Sequence, residues 1–170
     1  GHAGQELIGT YVAANQLEPL NFLYEQNGWL DVMPETLIPL ISDGGNIYSV
    51  PVNIHRSNVM WYNPQVLSDN GVDVPVTMDE FFTALDKLQA AGIETPLALG
   101  EQWTVMHMFE TIMLGTLGPD SYNQLWNGEK SWAEADVTEG IENFKKILTY
   151  TNSDSASLSW QDASQLVVDG

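Results

Sequence analysis

The chain has 170 residues, with 23 Asp and Glu against 5 Lys and Arg, giving a formal net charge of −18 at pH 7. This balance argues against nucleic acid and anionic membrane surfaces as partners, because both require clustered cations. The absence of cysteine excludes disulfides, thiol catalysis and zinc–thiolate sites. A hydrophobic content of 44% is ordinary for a folded protein, and no apolar run approaches the roughly 20 residues that span a bilayer.

The first 46 residues predict short helices joined by loops. Apolar residues at helical spacing predict a helix over 4–17, and residues 18–33 are rich in loops. Pro34 at a first helical turn predicts another short helix, which Pro39 should break or kink. Two glycines in 43–46 then predict a tight turn.

Two β-prone runs, over 47–52 and 58–62, flank a polar segment that contains Arg56. Pro51 has no N–H for a ladder, so we expect an edge or crossover strand rather than a central one. Trp61 alternates with Tyr62, which favours packing within the second strand. A cation beside His55 predicts a polar site, unless the segment is a hairpin whose arginine simply pairs with a carboxylate.

Helices dominate the remaining residues. A short helix should begin at Asn63-Pro64, and Thr77 with Glu80 forms a capping box that predicts a helix ending near Gly92. A buried strand is predicted over 96–99. Further helices are predicted in a set of four ranges, 105–114, 118–126, 136–150 and 162–168. Strands and helices that alternate after residue 46 indicate an α/β fold.

Three segments carry a resemblance to a known family. They are Val50-Pro51-Val52-Asn53-Ile54-His55-Arg56-Ser57-Asn58-Val59-Met60-Trp61-Tyr62-Asn63, then Leu97-Ala98-Leu99-Gly100-Glu101-Gln102-Trp103-Thr104, and Leu158-Ser159-Trp160-Gln161-Asp162-Ala163. In this order the chain resembles the extracellular sugar-binding proteins of ABC importers, of the maltose- and glucose-binding kind. The resemblance runs over nearly the whole chain.

The resemblance implies a helix-rich α/β fold, a periplasmic-binding-protein-like lobe with part of the first lobe and the crossover hinge. Residues 1–46 would belong to the first lobe, 47–59 to the crossover, and 60–170 to most of the second lobe. We therefore expect a fragment that lacks its export signal and its last strands, in which Gly1 and His2 could come from cloning. The location implied is extracytoplasmic. The partners implied are a carbohydrate and the membrane permease, and an open sheet edge could bind the missing lobe or a second copy.

A sugar ring offers an apolar C–H face and a rim of hydroxyls, which suits an aromatic plane surrounded by planar polar groups. Trp103 and its neighbour Gln102 stand where a predicted strand turns into a helix, a usual ligand location in α/β sheets. The alternative is that Trp103 fills the core. The resemblance adds rim residues from two other segments, namely His2, Gln5, Asn53, His55 and Arg56. Arg56 could instead brace the hinge.

Catalysis has little support in the sequence. The three histidines lack metal-binding spacing, and no nucleophile elbow or phosphate loop is present, so we predict no catalytic residue, no metal and no cofactor. His107 is expected to be packed or partly exposed in its helix. Paired carboxylates keep a glycoside hydrolase open as an alternative, with Glu101 beside Trp103 the best candidate. A structural fragment that binds nothing is the other alternative.

Overall fold

The structure is a computed structural model that describes Gly4 and residues 6–170. It is rich in helices and divides into two compact units, Gly1–His55 and Arg56–Gly170. The division expected from the resemblance, into 1–46, 47–59 and 60–170, stays a prediction. No helix in the described part of the chain combines the length and apolar character needed to cross a membrane.

The first unit is built on short elements around a small core. It contains a π-helix (Leu7–Val12), helix α1 (Asn21–Asn27), 3-10 turns at Trp29–Asp31 and Ile38–Ile41, and strands β1 (Ser42–Asp43) and β2 (Asn46–Ile47). The helix predicted over 4–17 is thus observed only as a π-helix of six residues. The helix predicted after Pro34 is reduced to a single 3-10 turn that has Pro39 in its first positions.

Helix α1 is hydrogen-bonded to the hairpin formed by β1 and β2 and to the segment that follows it. The side chain of Asn21 accepts a hydrogen bond from Ile47 N–H at 2.9 Å and donates to Gly45 O at 3.0 Å. The Tyr24 hydroxyl donates to Ser49 O at 2.7 Å, and its ring is buried beside Ile41. The turn predicted over 43–46 is confirmed between β1 and β2, and its two glycines have positive φ.

The strands predicted over 47–52 and 58–62 are wrong beyond Ile47. Residues 52–62 are all exposed and have no regular structure, and no hydrogen bond is recorded for them within the described residues. Trp61 is 81% exposed, so the prediction that it packs is also wrong. A strand needs a partner to receive its backbone hydrogen bonds, and the described part of the chain offers none to residues 52–62.

The second unit is helical: α2 (Pro64–Asp69), α3 (Met78–Ala90), α4 (Gln102–Asn127), α5 (Ala135–Leu148) and α6 (Trp160–Asp169). The predicted cap of α3 is confirmed, since Thr77 Oγ1 accepts from Glu80 N–H at 3.2 Å. Glu80 reaches back one residue further than a capping box requires, to Val76 N–H at 2.8 Å. Helix α4 is interrupted at Gly118 (φ 74°, ψ 166°), near the predicted boundary between two helices.

The core of this unit joins α3, α4 and α5. Its buried side chains include Phe82, Leu85, Ile112, Ile147 and Tyr150. Helices α4 and α5 cross closely at Gly140, where an added Cβ would lie 2.7 Å from Met113 Sδ.

The strand predicted over 96–99 is wrong. Within Gly4 and residues 6–170, the segment forms only an isolated parallel bridge, which joins Leu97 to Thr151. Asn152 fixes the next turn: its side chain accepts from Leu99 N–H at 2.7 Å and donates to Leu99 O at 3.0 Å. The segment that leads into α4 is therefore well anchored without a ladder.

Candidate functional site

The segments that precede helices α4 and α6 are in direct backbone contact. Glu101 N–H donates to Leu158 O at 2.9 Å. A Cβ added at Gly100 would lie 3.3 Å from the carbonyl oxygens of both Leu158 and Ser159. Only a residue without a side chain permits this approach without displacing backbone atoms. Glycine at position 100 therefore brings the starts of two helices together.

Side chains fix both turns at the point where each helix begins. The Thr104 hydroxyl accepts from Gly100 N–H at 3.1 Å and donates to Glu101 O at 2.8 Å. Ser159 caps α6, because its hydroxyl oxygen accepts from Asp162 N–H at 3.2 Å and its hydroxyl donates to Asp162 Oδ2 at 2.7 Å. The local sequence thus sets the direction of each helix start before any ligand arrives.

Each of these helix starts carries a half-exposed tryptophan. Trp103 is the second residue of α4 and is 49% exposed, while Trp160 is the first residue of α6 and is 50% exposed. Trp103 rests edge to face with the His107 ring, with centroids 5.4 Å apart. His107 is half-buried, as expected. The alternative that Trp103 fills the core is wrong.

This arrangement suits a neutral, polyhydroxylated ligand. An indole plane stacks on the C–H face of a sugar ring, and the free N–H groups of a helix start donate to hydroxyl oxygens. Gln102, the exposed first residue of α4, adds an amide that both donates and accepts.

The predicted site residues fall in different parts of the chain. His2 and Gln5 lie outside the described residues. Asn53 and His55 belong to the first unit, while Arg56, Gln102 and Trp103 belong to the second. Gln102 and Trp103 are neighbours on helix α4, while Asn53, His55 and Arg56 lie on the exposed segment 52–62. Assembly of all seven into a single site stays a prediction.

Arg56 is exposed and takes part in none of the ion pairs recorded among the described residues. The hairpin alternative, in which this arginine pairs with a carboxylate, is therefore wrong. Trp160 is the candidate residue that the sequence analysis missed. The segment 158–163 that carries it was among the three on which the resemblance rests, and this was the signal that could have found it.

Metal ligands do not cluster in the described part of the chain. Within Gly4 and residues 6–170, no three His, Cys, Asp or Glu side chains are placed so as to hold a metal ion.

Comparison with known proteins gives consistent matches over nearly the whole chain. The family model described as bacterial extracellular solute-binding protein matches residues 4–170. An ABC transporter extracellular-binding protein of Pyrococcus horikoshii is 34% identical, covering 99% of this chain and 38% of that protein. A probable sugar-binding periplasmic protein of Mesorhizobium japonicum is 32% identical, covering 94% of this chain and 39% of that protein.

A solved structure of a chitin oligosaccharide binding protein superposes with a TM-score of 0.73 at 25% identity, covering 95% of this chain and 40% of the other. The predicted helix-rich α/β lobe of the binding-protein type is thereby confirmed. The chain spans about two fifths of the length of the proteins it matches.

Proposed function

We propose that this chain, which belongs to the bacterial extracellular solute-binding proteins, forms part of the sugar-binding component of an ABC-type importer. Membership in an extracellular family gives it an extracytoplasmic location. One observation carries the proposal: half-exposed Trp103 and Trp160 stand at two helix starts that Gly100 holds in contact. The ligand and the permease are inferred for a full-length protein of the kind that this chain matches over about two fifths of its length.

The proposed ligand is a mono- or small oligosaccharide. Trp103 would stack on the sugar ring, and Trp160 would provide a second apolar surface at the neighbouring helix start. Two similar proteins support this class, since one is named as a sugar-binding periplasmic protein and the other as a chitin oligosaccharide binding protein. Both tryptophans are neutral, so binding of this kind needs no cation from a chain with few of them.

The rim of hydroxyls would be bound by the polar residues that the resemblance indicates. These are His2, Gln5, Asn53, His55, Arg56 and Gln102. A ligand that contacts both lobes of the longer protein favours their closure, and the closed form would be recognised by the membrane permease. The protein would thus bind and release its ligand without chemical change.

Residues 52–62 could pair with the part of a full-length protein that lies outside this chain. Val59, Met60, Trp61 and Tyr62 are consecutive and all exposed, and their backbone groups have no recorded partner within the described residues. A run that is apolar on both faces is typical of a strand covered on both sides. We propose that this segment pairs with a strand of the remaining lobe, or with a second copy when that lobe is absent.

The test is a titration with glucose, galactose, mannose, xylose, maltose and cellobiose, followed by tryptophan fluorescence and by calorimetry. We expect a saturable signal with one sugar. Trp103→Ala should weaken its affinity about tenfold or more, as expected when a stacking anchor is truncated. Trp132→Ala is the matched control, since Trp132 is 47% exposed but lies on the loop before α5, where its ring contacts Trp126.

Two results would contradict the proposal. One is unchanged affinity in both Trp103→Ala and Trp160→Ala. The other, a flat response from a chain whose circular dichroism shows that it is folded, would overturn the claim that these residues form a working site by themselves. Hydrolysis of nitrophenyl glycosides that is lost on Glu101→Gln would support the glycoside hydrolase instead.

A further inference from the structure

A cavity of about 320 Å³ opens between helices α3, α4 and α5 of the second unit. Its α4 wall is formed by Gly115 and Thr116. Twelve residues separate Trp103 from Gly115, so the two positions lie roughly 18 Å apart along the helix. The cavity is therefore distinct from the candidate sugar site and shares none of its residues.

Two acidic side chains and one basic side chain line this cavity, and no ion pair recorded in the described part of the chain joins them. They are Asp79 on α3 and Glu139 and Lys146 on α5. Among the described residues, the recorded ion pairs join Lys130 and Lys145 to carboxylates, and none includes these three. All three residues are exposed, so water solvates their charges and they remain available to a ligand.

The ammonium of Lys146 is held by an aromatic ring instead. Its Nζ lies 4.0 Å from the centroid of Phe82, a cation–π contact that keeps the charge at the cavity wall. The spacing of Glu139 and Lys146 by seven residues places both on the same face of α5. The two charges thus face one space from one helix, while Asp79 lines it from another.

Neutral groups complete the lining. Asn143 Nδ2 donates to Thr116 Oγ1 at 3.2 Å, which leaves the Thr116 hydroxyl hydrogen and the Asn143 carbonyl oxygen available to a ligand. Met78 supplies an apolar wall. Gly115 keeps that end open, because an added Cβ would lie 3.2 Å from Met78 Cε.

We propose that this cavity binds a small aliphatic zwitterion. Its ammonium would lie between Asp79 and Glu139, its carboxylate would accept from Lys146, and its carbon chain would contact Met78. A simple anion is repelled by the two carboxylates, and a simple cation leaves the lysine ammonium without a counter-charge. A ligand that carries both charges satisfies all three groups, and the volume suits a molecule of amino-acid size.

The experiment measures binding of 6-aminohexanoate by the amide NMR shifts of the whole chain, with hexanoate, hexylamine and mannitol as probes that each lack part of the proposed chemistry. We expect saturable shifts at Gly115, Thr116 and the Asn143 side chain with 6-aminohexanoate alone. Lys146→Gln should weaken this binding about three- to fivefold, as expected for one partly exposed charge pair. Added salt should weaken it as well.

Lys145→Gln is the matched control, because Lys145 is the adjacent residue on α5 but pairs with Glu142 and does not line the cavity. Its affinity should equal that of the unaltered chain. Equal binding of a single-charge probe or of mannitol, an equal loss in Lys145→Gln, or no saturable shift up to about 10 mM would each overturn the proposal. Trp103→Ala should leave these shifts intact, which separates this test from that of the sugar site.

Discussion

Replacing Gly100 by alanine tests whether the contact between the two helix starts matters. The added Cβ would lie 3.3 Å from two backbone oxygens, so the segment at Leu158 and Ser159 must move by a few tenths of an ångström. Overpacking against backbone costs about 1–3 kcal/mol, and the 2.9 Å hydrogen bond from Glu101 N–H would be lengthened. For a chain of this size we expect the Tm to fall by about 2–12 °C.

Gly115→Ala is the matched control for this substitution. Its Cβ would lie even closer to a neighbour, at 3.2 Å, but that atom is Met78 Cε at the end of a flexible side chain. An alanine inside a helix gains up to about 1 kcal/mol over glycine, so this variant should be neutral or stabilised. Thermal unfolding followed by circular dichroism compares the two. Equal Tm values for Gly100→Ala and the unaltered chain would refute the reasoning.

Two further substitutions test the core of the second unit. Tyr150→Phe removes the 2.6 Å hydrogen bond to Asp86 and should cost about 1–2 kcal/mol in urea unfolding at pH 8. That bond raises the pKa of Tyr150 to about 12 from 10.0, so its contribution is full below pH 10 and is lost as the pH rises towards 12; a variant whose alkaline unfolding matches the unaltered chain would contradict this. Gly140→Ala should lower the urea midpoint despite its better helix propensity, because its Cβ would lie 2.7 Å from the fully buried Met113 Sδ, and an unchanged midpoint would show that this sulfur moves freely.

The main helices of the second unit were predictable because their signals are local. Thr77 marks the start of α3, and the apolar spacing from Val137 to Leu148 marks the buried face of α5. The interruption of α4 at Gly118 is also a local feature, because Gly118 is followed by Pro119 and the residue before a proline avoids the helical conformation. Each of these signals lies within a few residues of the feature it predicts, so the sequence alone contains it.

The strands were not predictable for the opposite reason. Residues 58–62 and 96–99 have the composition of strands, yet each needs neighbours that lie far away in sequence. Leu97 finds one bridge partner at Thr151, while 58–62 finds none among the described residues. The composition of these segments therefore indicates a preference for strands, but whether a strand forms depends on the partners available for pairing.

The candidate site was half predictable for the same reason. Trp103 could be inferred from its own surroundings, since a turn into a helix and adjacent polar residues are local features. The role of Trp160 depends on the contact between Gly100 and Leu158, which are 58 residues apart and share no pattern. A chain that ended before Leu158 would keep Trp103 on its helix but lose the acceptor for Glu101 N–H and the second indole. The proposed binding surface thus depends on two distant segments, and glycine at position 100 is what allows them to meet.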